Sequence, residues 1–292
     1  KMEKDQIIIL ENRGLISVTG EDAKDYLQNI ITNDIYKVSN SNSIFAALLS
    51  PQGKYLFDFF VIKDEEGYLL DCEGSSSKEL INNLSKYKLR SKVEIKDLTA
   101  NYVVGIMNFQ NFKTLQKELN IEESTLRYRE SPVFIDPRDN DLGARIISPL
   151  EKLYLTIKKL NLKIVENKSY LEKGFLKGIP IEGLNNLQNQ LFGLEINFEK
   201  LNAIDFKKGC YVGQENTARM KLKNKIRRQL MSIKTEKDLK IGDEIKYNDS
   251  VIGRILIDKP YPFALIKLFD PDFSVFKDKK LKINDCNVEI IS

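Results

Sequence analysis

Apolar residues in this chain come in short blocks, and their spacing switches between two and three-to-four, which predicts an α+β fold. Ile16-Ser17-Val18-Thr19-Gly20 predicts a strand ending in a turn. From Glu21 to Ile31, residues Ala23, Tyr26, Leu27, Ile30 and Ile31 fall on one face of a helix. Glu21 and Asp22 in its first turn suit the positive end of the helix dipole. Ile44–Leu49 and Tyr55–Ile62 are strand-like, and Ser50-Pro51-Gln52-Gly53 between them has the proline and glycine positions of a β-turn. Tyr68–Cys72 and Asn101–Met107 predict strands; Ser77–Leu89, Phe112–Leu119 and Lys152–Leu160 predict helices. Ser169-Tyr170-Leu171-Glu172 has the form of a capping box opening a short helix, with Gly178 and Pro180 marking its end.

From Arg228 onward the texture changes. Gln229–Ile233, Glu244–Tyr247, Val251–Ile257 and Phe263–Leu268 alternate with turns at Gly242-Asp243 and Asn248-Asp249, the pattern of a small antiparallel barrel or sandwich. A boundary near residue 227 follows. The 292 residues exceed most single domains, so two or three packed units are expected.

Composition narrows the chemistry by exclusion. Apolar residues at 42% and charged residues at 30% are ordinary for a globular chain, and a net charge of +4 does not by itself point to nucleic acid. There is no histidine, which removes Ser-His-Asp and Cys-His pairs, a histidine general base and the usual catalytic zinc sites. Cys72, Cys210 and Cys286 are too scattered for a disulfide framework or a stable cluster site, which favours a reducing compartment and no bound metal. Lys1-Met2-Glu3-Lys4-Asp5 lacks the apolar centre of a secretory signal, and no apolar run approaches the roughly 18 residues of a membrane helix.

The segment Phe206-Lys207-Lys208-Gly209-Cys210-Tyr211-Val212-Gly213-Gln214-Glu215 places a thiol on a glycine-flanked turn after two lysines, with a helix expected to open near Gly213. A cysteine beside cations and a helix N-terminus favours thiolate, and Gly209 and Gly213 let backbone N–H groups approach a bound group. Gln214, Glu215 and Arg219 add directional polar contacts. The competing reading is a tight turn whose cysteine fills a small gap.

Lys208-Gly209-Cys210-Tyr211-Val212-Gly213-Gln214-Glu215 resembles the Lys-Gly-Cys-Tyr-x-Gly-Gln-Glu motif of the YgfZ family, which includes the mitochondrial iron–sulfur assembly relatives. Val18-Thr19-Gly20-Glu21-Asp22-Ala23, Thr32-Asn33-Asp34, Ser50-Pro51-Gln52-Gly53-Lys54 and Gly178-Ile179-Pro180 resemble further family segments in the family order. The resemblance implies a glycine-cleavage T protein-like α+β fold. Its domains would surround a central folate cavity formed by residues 1–226 as two interleaved subdomains, followed by a C-terminal antiparallel β-barrel at 227–292. It implies tetrahydrofolate or a derivative as cofactor, and iron–sulfur client or assembly proteins as partners, tRNA-modifying enzymes among the clients. It also implies Cys210 as the key thiol; the cytoplasm is the compartment expected from the scattered cysteines and the lack of a secretory signal. Glu195 and Asn197 match an element upstream of the motif, and Glu195 could read the pterin edge or simply bond nearby backbone. Arg13 and Tyr170 fall where some relatives have tryptophans near folate; Gly193 replaces a family proline. Phe57-Asp58 stands where true T proteins carry an acidic pair, so Asp58 is either a cofactor contact or an outward strand residue.

Two rival functions stay open. One is folate-dependent aminomethyl transfer, against which the missing acid argues. The other is a non-enzymatic module that docks RNA or clients. Arg219, Lys221, Lys223, Lys225 and Arg227 alternate with other residues, so an extended segment would put these cations on one face, either solvated or an anion platform.

Overall fold

The computed structural model describes residues 3–291. β1 (Gln6–Leu10) and β2 (Arg13–Thr19) are neighbours in sequence but enter different sheets. β2 joins β3 (Ile44–Leu49), β4 (Tyr55–Asp64), β5 (Gly67–Glu73) and β6 (Glu94–Asp97) in an antiparallel sheet ordered β3-β4-β5-β2-β6. β1 joins β7 (Val103–Met107), β8 (Thr125–Tyr128), β9 (Ser131–Ile135), β10 (Ala144–Ser148) and β11 (Lys163–Ile164) in a second sheet ordered β11-β1-β7-β10-β9-β8.

The inner strands of each sheet, and β3, are buried on both faces, which explains why β3 reads as a continuous apolar run, whereas the edge strands β6 and β11 are largely exposed. In the first sheet, Ile16, Phe59, Val61 and Leu70 face α1 (Ala23–Ile30) and α2 (Ser77–Lys88). The alternate positions Leu15, Phe60, Ile62 and Leu69 face the other way, into the central core. In the second sheet, Ile7, Met107 and Ile146 face α3 (Phe109–Leu119) and α4 (Leu150–Lys159), while Ile8, Ile106 and Ile147 face the same central core. The two α/β layers therefore stand back to back.

α5 (Lys168–Leu176) leads into a long segment whose regular structure is two short 3-10 turns, Leu184–Leu187 and Gly193–Ile196. Its Leu184, Leu191, Leu194 and Phe198 complete the central core, so this segment is held by burial rather than by a ladder. α6 (Gln214–Leu222) follows. The chain ends in a closed antiparallel barrel of β12 (Arg228–Thr235), β13 (Glu244–Tyr247), β14 (Ser250–Ile257), β15 (Phe263–Lys267), β16 (Leu281–Ile283) and β17 (Cys286–Ile291). A short helix, α7 (Phe273–Phe276), adds the buried Phe276 to the barrel core.

Two local expectations are corrected. The capping box at Ser169 does not form: the Leu171 N–H donates to the Asn167 carbonyl at 3.0 Å, so the helix has already begun at Lys168 and Asn167 is its cap residue. The extended basic face at 219–227 does not form either, because Arg219 and Lys221 belong to α6. Successive helical residues are rotated by about 100°, so alternate cations point to nearly opposite sides. Gly213 in the left-handed region opens this helix, and the Glu215–Arg219 ion pair at 3.1 Å supports it one turn on.

Phe198 couples the long segment to the β3–β4 hairpin, with its ring 6.0 Å from Phe45 and 5.7 Å from Tyr55, both edge-on. Phe198→Ala should lower unfolding free energy by about 3–5 kcal/mol, the usual cost of emptying a fully buried phenylalanine site. Urea titration followed by tyrosine fluorescence checks this.

Candidate functional site

A cavity of about 600 Å³ lies where all parts of the chain meet. The first sheet contributes Arg13 and Glu73, the second Leu10 and Arg145, α5 Tyr170, and the barrel Lys259. Ile181, Gly183 and Asn185 of the long segment close one side.

The wall of this cavity is built on a buried ion network. Asp71 on β5 is fully buried and faces the central core, between the register partners Leu15 and Phe60 side on. Arg13 Nε donates to Asp71 Oδ1 at 2.7 Å, and Arg145 Nη2 donates to Asp71 Oδ2 at 2.8 Å. Arg145 belongs to the second sheet, so this carboxylate joins the two sheets. Burial alone would push the Asp71 carboxyl up; the guanidiniums of Arg13 and Arg145 override it and hold the group below its ordinary value. Arg138 forms a second buried pair with Asp136 at 2.8 Å. The Tyr170 hydroxyl accepts from Arg145 Nη1 at 3.1 Å and from Arg138 Nη2 at 3.3 Å. The Phe60 ring lies under both, 4.1 Å from the Arg145 guanidinium carbon and 4.8 Å from that of Arg138.

Beside this network stands an acid pair. The β4–β5 register pairs Phe59 with Cys72, so the next positions, Asp58 and Glu73, stand opposite each other. Asp58 alternates with Phe60 and Ile62, which places it on the central-core side; the outward reading of this residue is corrected. The Tyr55 hydroxyl donates to it. Burial, then the nearby Asp58 charge, pushes the Glu73 carboxyl up to about 7. Burial also pushes the neighbouring Cys72 thiol up to about 12, which leaves it an inert packing residue.

The motif turn is elsewhere. Cys210 is exposed and is not among the residues that line the cavity. Lys208 is buried: its Nζ donates to the carbonyls of Gln28 at 2.8 Å, Ile31 at 2.7 Å and Asn33 at 2.8 Å, satisfying the open C-terminal end of α1. Tyr211 is buried under that ammonium, 4.9 Å from ring centre to Nζ. Gln214 Nε2 donates to the Gly209 carbonyl at 3.3 Å and holds the loop onto α6. Gly213 has φ +82°, and a Cβ there would sit 2.5 Å from the Ser50 carbonyl oxygen. A Cβ on Gly209, by contrast, would meet nothing within 4 Å.

Glu195 and Asn197 also lie apart from the cavity lining. Glu195 is buried, accepts from the Phe192 N–H at 2.9 Å and pairs with Arg228 at 3.0 Å. Asn197 Nδ2 donates to the Leu230 carbonyl at 3.0 Å. Both tie the long segment to β12. Of the residues singled out from sequence, the structure thus brings Arg13 and Tyr170 together at the cavity, with Asp58 beside them. It adds Asp71, Glu73, Arg138 and Arg145, whose signal in sequence was a charge set inside an apolar strand, as in Leu69-Leu70-Asp71-Cys72 and Ala144-Arg145-Ile146-Ile147. No group of three or more metal-ligating side chains is found among the described residues.

A mixed-charge cavity at the junction of two α/β layers and a barrel defines a GcvT-like architecture, and comparison with known proteins agrees. The GCVT N-terminal domain family matches residues 6–128. The fold is similar to that of the glycine cleavage system aminomethyltransferase T from Bartonella henselae, with a TM-score of 0.74 over 100% of this chain and 86% of that one at 12% identity. The tRNA-modifying protein YgfZ of Buchnera aphidicola is 32% identical over 255 residues, 82% of this chain and 77% of the relative. The mitochondrial iron-sulfur cluster assembly factor IBA57 homolog of Dictyostelium discoideum is 29% identical over 82% of this chain. The chain belongs to the YgfZ/IBA57 family of GcvT-like proteins. It spans 65% of the length of the Dictyostelium relative and 55% of that from Pyricularia oryzae.

Two outcomes follow. Asp71→Asn leaves two buried guanidiniums without their charge partner and should cost about 3–5 kcal/mol of stability, read by urea denaturation. Glu73 has a folded pKa raised to about 7 from an ordinary 4.5, so it favours folding at low pH and loses that contribution as pH rises through 7. The stability difference between the parent and Glu73→Gln should therefore shift against the parent between pH 5 and pH 8. An unchanged difference would show that Glu73 titrates normally.

Proposed function

We propose that this protein binds tetrahydrofolate or a derivative in the central cavity and supports the assembly or repair of iron–sulfur proteins, tRNA-modifying enzymes among them. The observation that carries the proposal is the cavity itself. Its volume of about 600 Å³ lies within the usual range for organic ligands, and its wall combines apolar surface with fixed donors and acceptors. That chemistry fits a reduced pterin, whose ring carries both N–H donors and a carbonyl acceptor. Leu10 and Ile181 offer apolar surface, Arg13 a donor and Glu73 an acceptor. Lys259 at the barrel side suits an anionic tail.

Cys210 is the second station in this reading. Its turn is exposed, and the space beside Gly209 is open, so a client or assembly protein can reach the sulfur. The three cysteines are free, in keeping with a reducing compartment such as the cytoplasm. No helix among the described residues is long and apolar enough to cross a membrane. Aminomethyl transfer is the rival reading: it requires a one-carbon product in the presence of a protein-bound aminomethyl donor. RNA docking is weakened by the loss of the flat cationic face.

Calorimetric titration with tetrahydrofolate tests the cofactor, and rescue tests the role. In a bacterium lacking its own YgfZ relative, the parent chain should restore iron–sulfur enzyme activity and Cys210→Ala should fold normally yet fail to do so. Full rescue by Cys210→Ala would remove the thiol from the mechanism.

A further inference from the structure

A smaller cavity, of about 230 Å³, lies on the seam between the long segment and the barrel. It shares no lining residue with the central cavity. Its wall is drawn from two apolar clusters that meet without closing on each other. Ile179, Leu201 and Leu230 belong to the central core, with Ile291 packed against it. Met231 and Phe273 are half-buried at the margin of the barrel core. Phe273 is held edge-on to the buried Phe276, with 5.6 Å between ring centres, so that side of the wall is fixed.

The polar groups on this wall are mostly engaged within the protein. Asn197 Nδ2 donates to the Leu230 carbonyl at 3.0 Å, and Gln229 Nε2 donates to the Asn197 side-chain oxygen. The Lys177 ammonium is committed to Asp139 at 3.1 Å and to Asp141 at 2.7 Å. Lys200 differs from all of these. It lines the same cavity, is exposed, and has no ion pair among the described residues, while its neighbour Glu199 pairs with Lys221. The seam therefore presents an apolar recess beside an unpaired cation.

An apolar recess costs stability, because the atoms that line it forgo dispersion contacts and water replaces them poorly. An apolar ligand restores those contacts. A dry apolar cavity of about 150 Å³ takes up benzene, so a recess half as large again has room for a chain of about eight carbons. Ligand sites also favour boundaries between domains, and combine an apolar wall with a few charged or polar groups.

We propose that this seam binds a medium-chain monocarboxylate, with its hydrocarbon chain among Leu201, Leu230, Met231 and Phe273 and its carboxylate against Lys200. Charge complementarity selects the acid over an amine of the same length. A second carboxylate on the chain would be buried without a partner, which excludes dicarboxylates. The inference goes beyond the folate reading and uses no residue of the central cavity. Because the long segment and the barrel each supply part of the wall, the ligand fastens one to the other.

The test is calorimetric titration of the intact chain with octanoate, butyrate and octylamine near neutral pH. The parent should bind octanoate at least about tenfold more tightly than butyrate, whose shorter chain buries less apolar surface. It should also prefer octanoate to octylamine. Lys200→Gln should weaken octanoate binding about two- to fivefold, the usual worth of an exposed ion pair. Met231→Trp, which fills the recess, should abolish it. Methionine-methyl NMR of the parent, with Met231→Leu to assign the signal, should show the Met231 methyl shifting with octanoate while the buried Met107 methyl stays in place. Failure of the parent to bind octanoate overturns the proposal, and so does binding that leaves the Met231 methyl unmoved. Octylamine bound as tightly as octanoate overturns the choice of a carboxylate. The Met231 signal is read in the parent, so it decides the matter even where Met231→Trp folds poorly. Tetrahydrofolate binding is untouched by any of these results, so the two readings stand or fall separately.

Discussion

The Asp71 carboxylate, shared between Arg13 of one sheet and Arg145 of the other, is the constraint on which the rest of the molecule depends. Two sheets packed through apolar side chains alone can slide, because dispersion contacts are nearly degenerate in register. A buried ion pair is not: displacement by even a side chain's width strands charge in a low-dielectric core. Its net contribution to stability is small once desolvation is counted, but its contribution to position is large. It fixes where β10 stands against β5, and so fixes the cavity between them. Phe60 extends the same logic, since one ring lies against the guanidiniums of both Arg145 and Arg138.

The motif turn follows a different rule. Most of its residues are accounted for by packing. Lys208 closes the end of α1, Tyr211 fills the core beneath that ammonium, and Gly213 lets the turn lie against Ser50. Lys208 sustains this despite burial, which lowers its pKa to about 8 against the opposing pull of Asp34 and Asp205. What packing does not explain is Gly209, which has room for a side chain, and Cys210, which is exposed. These two positions are where the turn is free of the demands of packing, and the proposed access to the sulfur draws on that freedom.

The periodic elements were legible in sequence because one physical cause produced both pattern and structure. α1 buries Ala23, Tyr26, Leu27 and Ile30, the residues whose spacing predicted it. β4 and the turn at Ser50–Gly53 were legible for the same reason, with the Gly53 N–H donating to the Ser50 carbonyl at 2.8 Å. Ile7–Leu10 has no alternation, so nothing in it distinguishes strand from buried helix, and β16 is only three residues long. The basic run at 219–227 misleads because alternation along a chain implies a shared face only in extended backbone. The site was less legible than the fold for a sharper reason. Asp71 and Arg145 lie 74 residues apart, and local spacing carries no information about which buried charge meets which. Glu195 was conspicuous and proved to be a tie to the barrel; Glu73 was inconspicuous and lines the cavity.

The cavity and the thiol are separate, yet one hairpin serves both. The β3–β4 turn touches the motif: Asn216 Nδ2 donates to the Gln52 carbonyl at 2.6 Å, and Gly53 packs against Gly213. Five residues after Gly53, on β4, Asp58 stands opposite Glu73 beside the cavity wall. The hairpin is held at both ends, with Phe57, Phe59 and Phe60 buried along β4 between them. The packing of β4 thus sets the position of the motif turn and of the cavity wall together, because one buried strand carries both.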